Sequence, residues 1–392
     1  MQRLNVPVSG RILDAVLASV EEERVSTKHL AQAVSELSRI FTKERDRLSV
    51  SYLDSNHLGT AYLQYFLPVN LAKIQRLLNE MPTPEVDERF SVLDLGSGPG
   101  TGPLAVLDWW QQQALPYALS VTAVDGSKAA LRQARQLWDR YCQAPTVGAA
   151  RLQTYEGDLE RRVWLEQVKQ RAPFDLIMLA NCLNEIHIDA KGSIEMRAGM
   201  VIEALSLLAP HGTMMIIEPA LRETSRALLQ VRDKLLQDKR CTIYSPCLHE
   251  NVCPALMKPD DWCHEERAWE PPAVIRQIDA EVGFIKDELK FSYLLLRKDG
   301  KTIVERRPDV YRVVSELREM KGEKRAWLCN EQGRQEVGRQ DRLSSPDNAA
   351  FDQWCRGVIV QIDRIVRKER GGKVSLLGRI AQDAVVKVIR SV

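Results

Sequence analysis

At 392 residues, 44% hydrophobic and 28% charged, the chain can bury a full core without staples, and its length predicts two or three globular domains. No run of eighteen apolar residues occurs, which argues against a membrane-spanning helix, and the N-terminus lacks the charged, apolar, small-residue order of an export signal. A cytoplasmic protein with no membrane partner and no DNA partner is expected. The net charge of +2 is unevenly spread: residues 297–325 hold ten Lys/Arg against six Asp/Glu, and residues 361–392 eight against three. This C-terminal third is either a polyanion-facing surface or a solvated charged face.

In chain order, residues 10–48 carry apolar positions at helical spacing (Ile12, Val16, Val20, then Leu30, Val34, Leu37, Ile40) and predict two helices. A third helical stretch covers 60–81, with Pro68 kinking or breaking it. From residue 90 apolar strands alternate with amphipathic helices: FSVLDLG, SVTAVDG, LQTYEGD, FDLIMLAN and GTMMIIEPA. That alternation predicts an α/β fold, a Rossmann-like parallel sheet with ligands at the carboxyl ends of its strands. KDELKFSYLLLRK reads as its last strand, and DVYRVVSEL, RAWLCNEQGR and WCRGVIVQI as a small β-rich appendix. The expected division is a helical region over 1–88, the Rossmann-like domain over 89–300 with a metal-binding insertion at 240–270, and a basic appendix over 301–392.

The segment VLDLGSGPGTG (92–102) sets Asp94 at the tip of a strand, followed by Gly96, Gly98, Gly100 and Gly102. Glycines permit a tight turn and a close backbone approach to a ligand, and the next helix offers its N-terminal amides. The spacing D-x-G-x-G-x-G differs from the G-x-G-x-x-G of dinucleotide sites and resembles the first motif of class I S-adenosylmethionine-dependent methyltransferases. Asp125 and Asp158 end the next two strands, where that resemblance implies acceptors for the ribose hydroxyls and the adenine amino group. Asn181, Asn184 and Glu185 follow the fourth strand; they are candidates to position a substrate, Asn181 also to touch the cofactor, or else they cap the next helix. Cys182 reads as a small packing residue rather than a nucleophile.

Four of the eight cysteines, Cys241, Cys247, Cys253 and Cys263, fall within 23 residues. A reducing compartment disfavours disulfides, and four thiolates complete either a zinc tetrahedron or a 4Fe-4S cube. The uneven gaps, with no C-x-x-C knuckle, favour iron-sulfur. Zinc is the alternative, with His249 or His264 able to replace one ligand.

Together the glycine loop, SPC, CP, DWCH and KDELKFSYLL make the chain similar to the methyltransferase-like ribosomal small subunit proteins of bacteria and mitochondria. YLQYFLP, LNE at 183–185 and KGEKRAWLCNEQGR extend the likeness along most of its length. The resemblance implies Gly96, Gly98 and Gly100 as S-adenosylmethionine contacts and the four clustered cysteines as 4Fe-4S ligands. It also implies a partner, the small ribosomal subunit or its rRNA. The expected function is S-adenosylmethionine-dependent rRNA methylation in translation; the alternative is a non-catalytic ribosome assembly factor that uses the same fold as an RNA-binding platform.

Overall fold

The computed structural model describes residues 8–20, 26–45, 55–86, 88–146, 148–188, 190–237, 239–370 and 373–391. Two amphipathic helices, α1 (Gly10–Val20) and α2 (Thr27–Thr42), bury the apolar positions read from the sequence. Residues 46–48, grouped with them by that reading, lie outside the described residues. The kink expected at Pro68 takes another form. Helix α3 (Asn56–Ala61) widens into a π-helical turn at Tyr62–Phe66, and α4 (Leu67–Leu78) continues with Pro68 in its first turn. Proline has no N–H to give, and its ring crowds the carbonyl four residues back; a wider turn accommodates both.

The α/β part follows as β1 (Arg89–Leu95), α5 (Thr101–Gln112), β2 (Ala118–Asp125), α6 (Lys128–Cys142), β3 (Ala150–Glu156), α7 (Val163–Lys169), β4 (Phe174–Ala180), α8 (Ser193–Ser206) and β5 (Leu208–Pro219). It ends with α9 (Arg222–Gln237), β6 (Thr242–Ser245), β7 (Glu265–Ala268), α10 (Ala273–Val282) and β8 (Glu288–Arg297). The sheet order is β3-β2-β1-β4-β5-β8-β6, with β7 also on β8. Strands β1 to β5 are mutually parallel, whereas β8 runs antiparallel to both β5 and β6. This is the Rossmann-like class I methyltransferase arrangement expected above, and the order reverses at β1/β4, where a doubly wound sheet opens its ligand crevice. Strand β8 is last in the chain yet interior in the sheet. The edge strand is β6, which comes from the cysteine-rich stretch itself, so the insertion proper begins after Ser245.

A second sheet holds β9 (Val310–Val313), β10 (Arg318–Met320), β11 (Glu323–Asn330), β12 (Gly333–Gln340), β13 (Ile359–Ile362), β14 (Ile365–Arg370), β15 (Lys373–Ile380) and β16 (Val386–Arg390). It has its own core, including Val313, Leu328, Val337, Phe351 and Val360. Of the ten basic residues in 297–325, eight have an ionic partner; Lys298 and Lys321 are the others. Several of those partners, Glu85, Glu250, Glu265 and Glu336, lie outside the stretch, so much of its surplus is met by acids elsewhere in the fold. No helix among the described residues is long and apolar enough to cross a membrane.

A buried polar network ties the parts together. Glu80, just after α4, accepts from Arg267 of β7 at 2.6 Å and from the Tyr293 hydroxyl of β8 at 2.5 Å, and it also holds Ser245 of β6. Arg312 of β9 donates to Glu265 of β7 at 3.0 Å and to Tyr293 at 3.0 Å. Buried charges are tolerated only when paired in this way.

Candidate functional site

Beyond β1 the chain leaves the sheet through Gly96, Gly98 and Gly100, with φ of +73°, +52° and +94°. Only glycine enters this region without strain. Gly96 has a second constraint, since a Cβ there would stand 2.5 Å from Cβ of Cys182. Gly100, expected to contact the cofactor, packs against a helix. It does not line the cavity formed here, and a Cβ on it would meet that of Ala134 in α6 at 2.9 Å.

The cavity encloses about 940 Å³ and is lined by Asp94, Gly96, Gly98, Asp125, Asp158, Asn181, Asn184 and Glu185, all predicted from the sequence. Asp125 accepts from the Gly98 amide at 2.7 Å and from the Ser127 amide at 2.8 Å, so the loop and the end of β2 hold one another. Asp158 accepts from the Glu160 amide at 2.9 Å. Asp94 is buried against Gly102 in the first turn of α5, and its Oδ2 accepts no hydrogen bond among the described residues. Burial lifts its carboxyl to about 7, with Ser97 opposing and Asp125 adding to the rise.

At the end of β4, Asn181 takes a left-handed backbone (φ +60°) while its amide still donates to Ile217 at 2.8 Å. Such a conformation in a non-glycine residue is a recurrent feature of ligand sites. Asn184 is held by Arg45, its carbonyl accepts from Arg197 at 3.0 Å, and its amide donates to Glu218 at 3.3 Å. Glu185 opens onto the cavity; enclosure by the walls raises its carboxyl to about 7, Arg45 opposing and Asp125 reinforcing the shift. The Cys182 thiol donates to the Leu95 carbonyl at 3.1 Å and is pushed far up by burial, which suits packing and not nucleophilic attack.

Sequence reasoning missed one wall. Phe41, Tyr62, Phe66, Asn70 and Lys73 arrive from α2 to α4, Lys286 from the approach to β8 and Lys290 from β8 itself. Tyr62 lies 3.5 Å from Thr101 at the start of α5. The YLQYFLP motif was the available signal, but only tertiary packing shows which of its faces meets the cavity.

The cysteines divide differently from the expectation. Cys253 and Cys263 pack in one small cluster with Leu229 and Ala255, and Cys247 and Cys329 of β11 lie within electrostatic reach of both. The charge of Cys247 and Cys263 raises the Cys253 thiol beyond the effect of burial, and Cys247, Cys263 and Cys253 do the same to Cys329. Cys241 immediately precedes β6 and packs with Ile243 and Leu228; burial and Glu250 raise its thiol to about 11. Strand β6 lies between it and Cys247 in the chain, although Cys247 packs against the same core. Arg232 and Arg334 face the thiol group, and Arg334 also pairs with Asp261 at 2.5 Å. Of the two histidines, His249 Nε2 stands 3.6 Å from the Cys329 sulfur, whereas His264 bonds Glu266 at 3.1 Å and stacks on Trp262. Among the described residues, no three Cys, His, Asp or Glu side chains form a ready-made metal site.

The sheet and its crevice define a class I S-adenosylmethionine methyltransferase fold. Within that class the chain belongs to the mitochondrial small ribosomal subunit Rsm22 family, whose sequence profile matches residues 57–339. No curated protein sequence matches it. Among solved structures it is similar to NSun6 of Pyrococcus horikoshii, at 14% identity over 59% of this chain and 52% of that one, with a TM-score of 0.35. A candidate class I S-adenosylmethionine-dependent methyltransferase of Listeria monocytogenes matches at 14% identity over 74% of each chain, TM-score 0.37. A methyltransferase of Pyrococcus furiosus matches at 13% identity over 59% and 83%, TM-score 0.34. The aligned part thus spans about half of the first of these proteins, and scores of this size leave the fold resting on the strand order above.

Proposed function

We propose that this chain binds S-adenosylmethionine in the 940 Å³ cavity and transfers its methyl group to rRNA of the small ribosomal subunit. The observation that carries the reading is the convergence of three strand-end acids, Asp94, Asp125 and Asp158, and two left-handed glycines on one crevice at the reversal of strand order. The residues fit the cofactor: the orphaned Oδ2 of Asp94 is an acceptor for a cationic amino group, and Asp125 and Asp158 are acceptors for hydroxyl and amino groups. When bound, S-adenosylmethionine supplies an electrophilic methyl group. The protein's contribution is alignment, from Asn181 and Asn184, and an acceptor for the departing proton, for which the raised carboxyl of Glu185 is suited. The family supports the small-subunit partner, and its mitochondrial description lends nothing to the cytoplasmic expectation. Incubating the protein and tritiated S-adenosylmethionine with small-subunit assembly intermediates tests the proposal; label should enter the rRNA. Cofactor binding without transfer in any intermediate would favour the non-catalytic assembly factor.

The same reading assigns a 4Fe-4S cluster to Cys247, Cys253, Cys263 and Cys329. Cys247, Cys253, Cys263 and Cys329, beside Arg232 and Arg334, suit a cationic metal core, which keeps sulfur ligands deprotonated where burial raises Cys253, Cys263 and Cys329. The cluster's role would be structural, joining the loop after β6 to the second sheet. Anaerobic purification should yield brown protein containing iron and sulfide; colourless protein with stoichiometric zinc would assign the site to zinc, with His249 beside it.

A further inference from the structure

The cavity carries charges of both signs. Asp94, Asp125, Asp158 and Glu185 line it from the ends of β1 to β4, and Asp125 raises both Asp94 and Glu185. Lys73 of α4 and Lys286, in the turn between α10 and β8, line it as well. Burial, with the charge of Lys286 adding to it, lowers the Lys73 ammonium to about 7. Its hydrogen bond is to Asn70 Oδ1 at 3.0 Å, and among the described residues neither lysine has a carboxylate within ion-pair reach. Lys286 is likewise lowered by burial, with Asp279 opposing and Lys290 adding. Lys290, in contrast, is neutralised by Glu266 and Glu288, each at 3.3 Å. Asp279 is occupied by the Tyr65 hydroxyl at 2.5 Å.

Two ammonium groups held together without a counter-ion in an enclosed space are unfavourable until an anion arrives, and burial makes the eventual pairing strong. Beside them stands an aromatic wall: Phe41 and Phe66 edge to face at 5.1 Å, with Tyr62 stacked on Phe66 at 6.1 Å. Aromatic faces with nearby cations are how proteins hold unstacked nucleotides. The volume, about 940 Å³, lies near the top of the roughly 300–1,000 Å³ range of small-molecule pockets.

We propose that Lys73 and Lys286, with the wall of Phe41, Tyr62 and Phe66, form the acceptor subsite, and that it takes an RNA nucleotide turned out of its stack, phosphate on the lysines and base against the rings. This rests on the methyltransferase reading for its meaning but not for its detection. The experiment is equilibrium binding of the four nucleoside 5′-monophosphates and their nucleosides to the full chain, with and without S-adenosylhomocysteine. Nucleotides should bind at least about tenfold tighter than nucleosides, and Lys73→Met or Lys286→Met should each erase about tenfold of that preference. Affinity for S-adenosylhomocysteine and thermal stability should be unchanged in both variants, which controls for folding.

If S-adenosylhomocysteine fails to bind while nucleotides keep their preference, the methyltransferase reading falls and the subsite stands. Equal affinity for nucleotide and nucleoside would overturn the subsite. So would loss of S-adenosylhomocysteine binding in the lysine variants, which would assign the lysines to the cofactor's carboxylate. Inorganic phosphate matching the nucleotides would mean an adventitious ion only, and a phosphoserine peptide binding tighter than any nucleotide would assign the subsite to a protein acceptor.

Discussion

The amide of Gly98 donates to Asp125 Oδ2 at 2.7 Å, so the loop after β1 and the acid ending β2 are one unit, positioned before any ligand enters. Two residues read separately from the sequence thus depend on each other, and disturbing one disturbs the other's aim.

Replacing Gly98 should show this. A Cβ there meets nothing within 4 Å, so the cost of Gly98→Val is the left-handed backbone at φ +52°, about 1–2 kcal/mol locally. The expected outcome by calorimetric titration is loss of S-adenosylmethionine binding with an unchanged fold by circular dichroism. Co-sedimentation with small subunits should persist; joint loss of both would show that cofactor site and subunit contact are inseparable.

Gly96→Ala should be worse for stability. The added methyl would stand 2.5 Å from Cβ of the buried Cys182 as well as straining φ +73°. A destabilisation of about 2–4 kcal/mol is expected from overpacking and strain together, read from urea midpoints.

The thiol group offers a paired comparison. Cys329→Ser should abolish iron and sulfide incorporation, whereas Cys241→Ser should leave both in place and cost only packing beneath α9. The opposite pattern, measured by metal analysis after anaerobic purification, would restore the contiguous cysteine set of the sequence reading.

Arg312→Met should loosen the second sheet from the first. Removing one member of a buried network leaves Arg267 alone to neutralise both Glu265 and Glu80, and breaking a buried pair typically costs about 3–5 kcal/mol. Denaturant unfolding followed by tryptophan fluorescence would register the loss, and an effect below about 1 kcal/mol would mean that the network rearranges around the gap.

Glu80 adds a pH signature. Burial favours its neutral form, but Arg267 and Arg312, helped by Ser245 and Tyr293, outweigh that and bring its carboxyl down to about 2 from an ordinary value near 4.5. A carboxylate depressed on folding stabilises the native state fully above its unfolded pKa and loses that contribution as pH falls toward its folded one. The stability difference between the native chain and Glu80→Gln, about 3 kcal/mol at pH 7 from this shift, should therefore shrink between pH 4.5 and 2. A difference independent of pH over that window would assign the effect to hydrogen-bond geometry alone.

Much of the catalytic half was readable in one dimension. Asp94, the glycine turn, Asp125 and Asp158 all lie within a residue or two of strand ends, so local pattern places them at the same edge of a parallel sheet. Gly100 looked identical to its neighbours because periodicity cannot tell a ligand-facing glycine from one that admits a neighbouring helix. The same limit hid the opposite wall: Lys73 and Lys286 are 213 positions apart and meet only because α4 and the approach to β8 both close over the crevice.

What the sequence by itself determined is the α/β class, the direction of the sheet's ligand edge and the acidic lining of the cavity, since strand period and turn chemistry are local properties. The tertiary structure decided which thiols come near one another. Cys241 is close to Cys247 in the chain yet immediately precedes β6, the edge strand on β8; Cys329 is 66 residues beyond Cys263, and β11 brings it within electrostatic reach of Cys247, Cys253 and Cys263. Long-range packing also brought the two lysines to one cavity and bound most of the basic stretch at 297–325 into ion pairs. Charge counted along a chain says how much there is to neutralise, and only the fold supplies the partners.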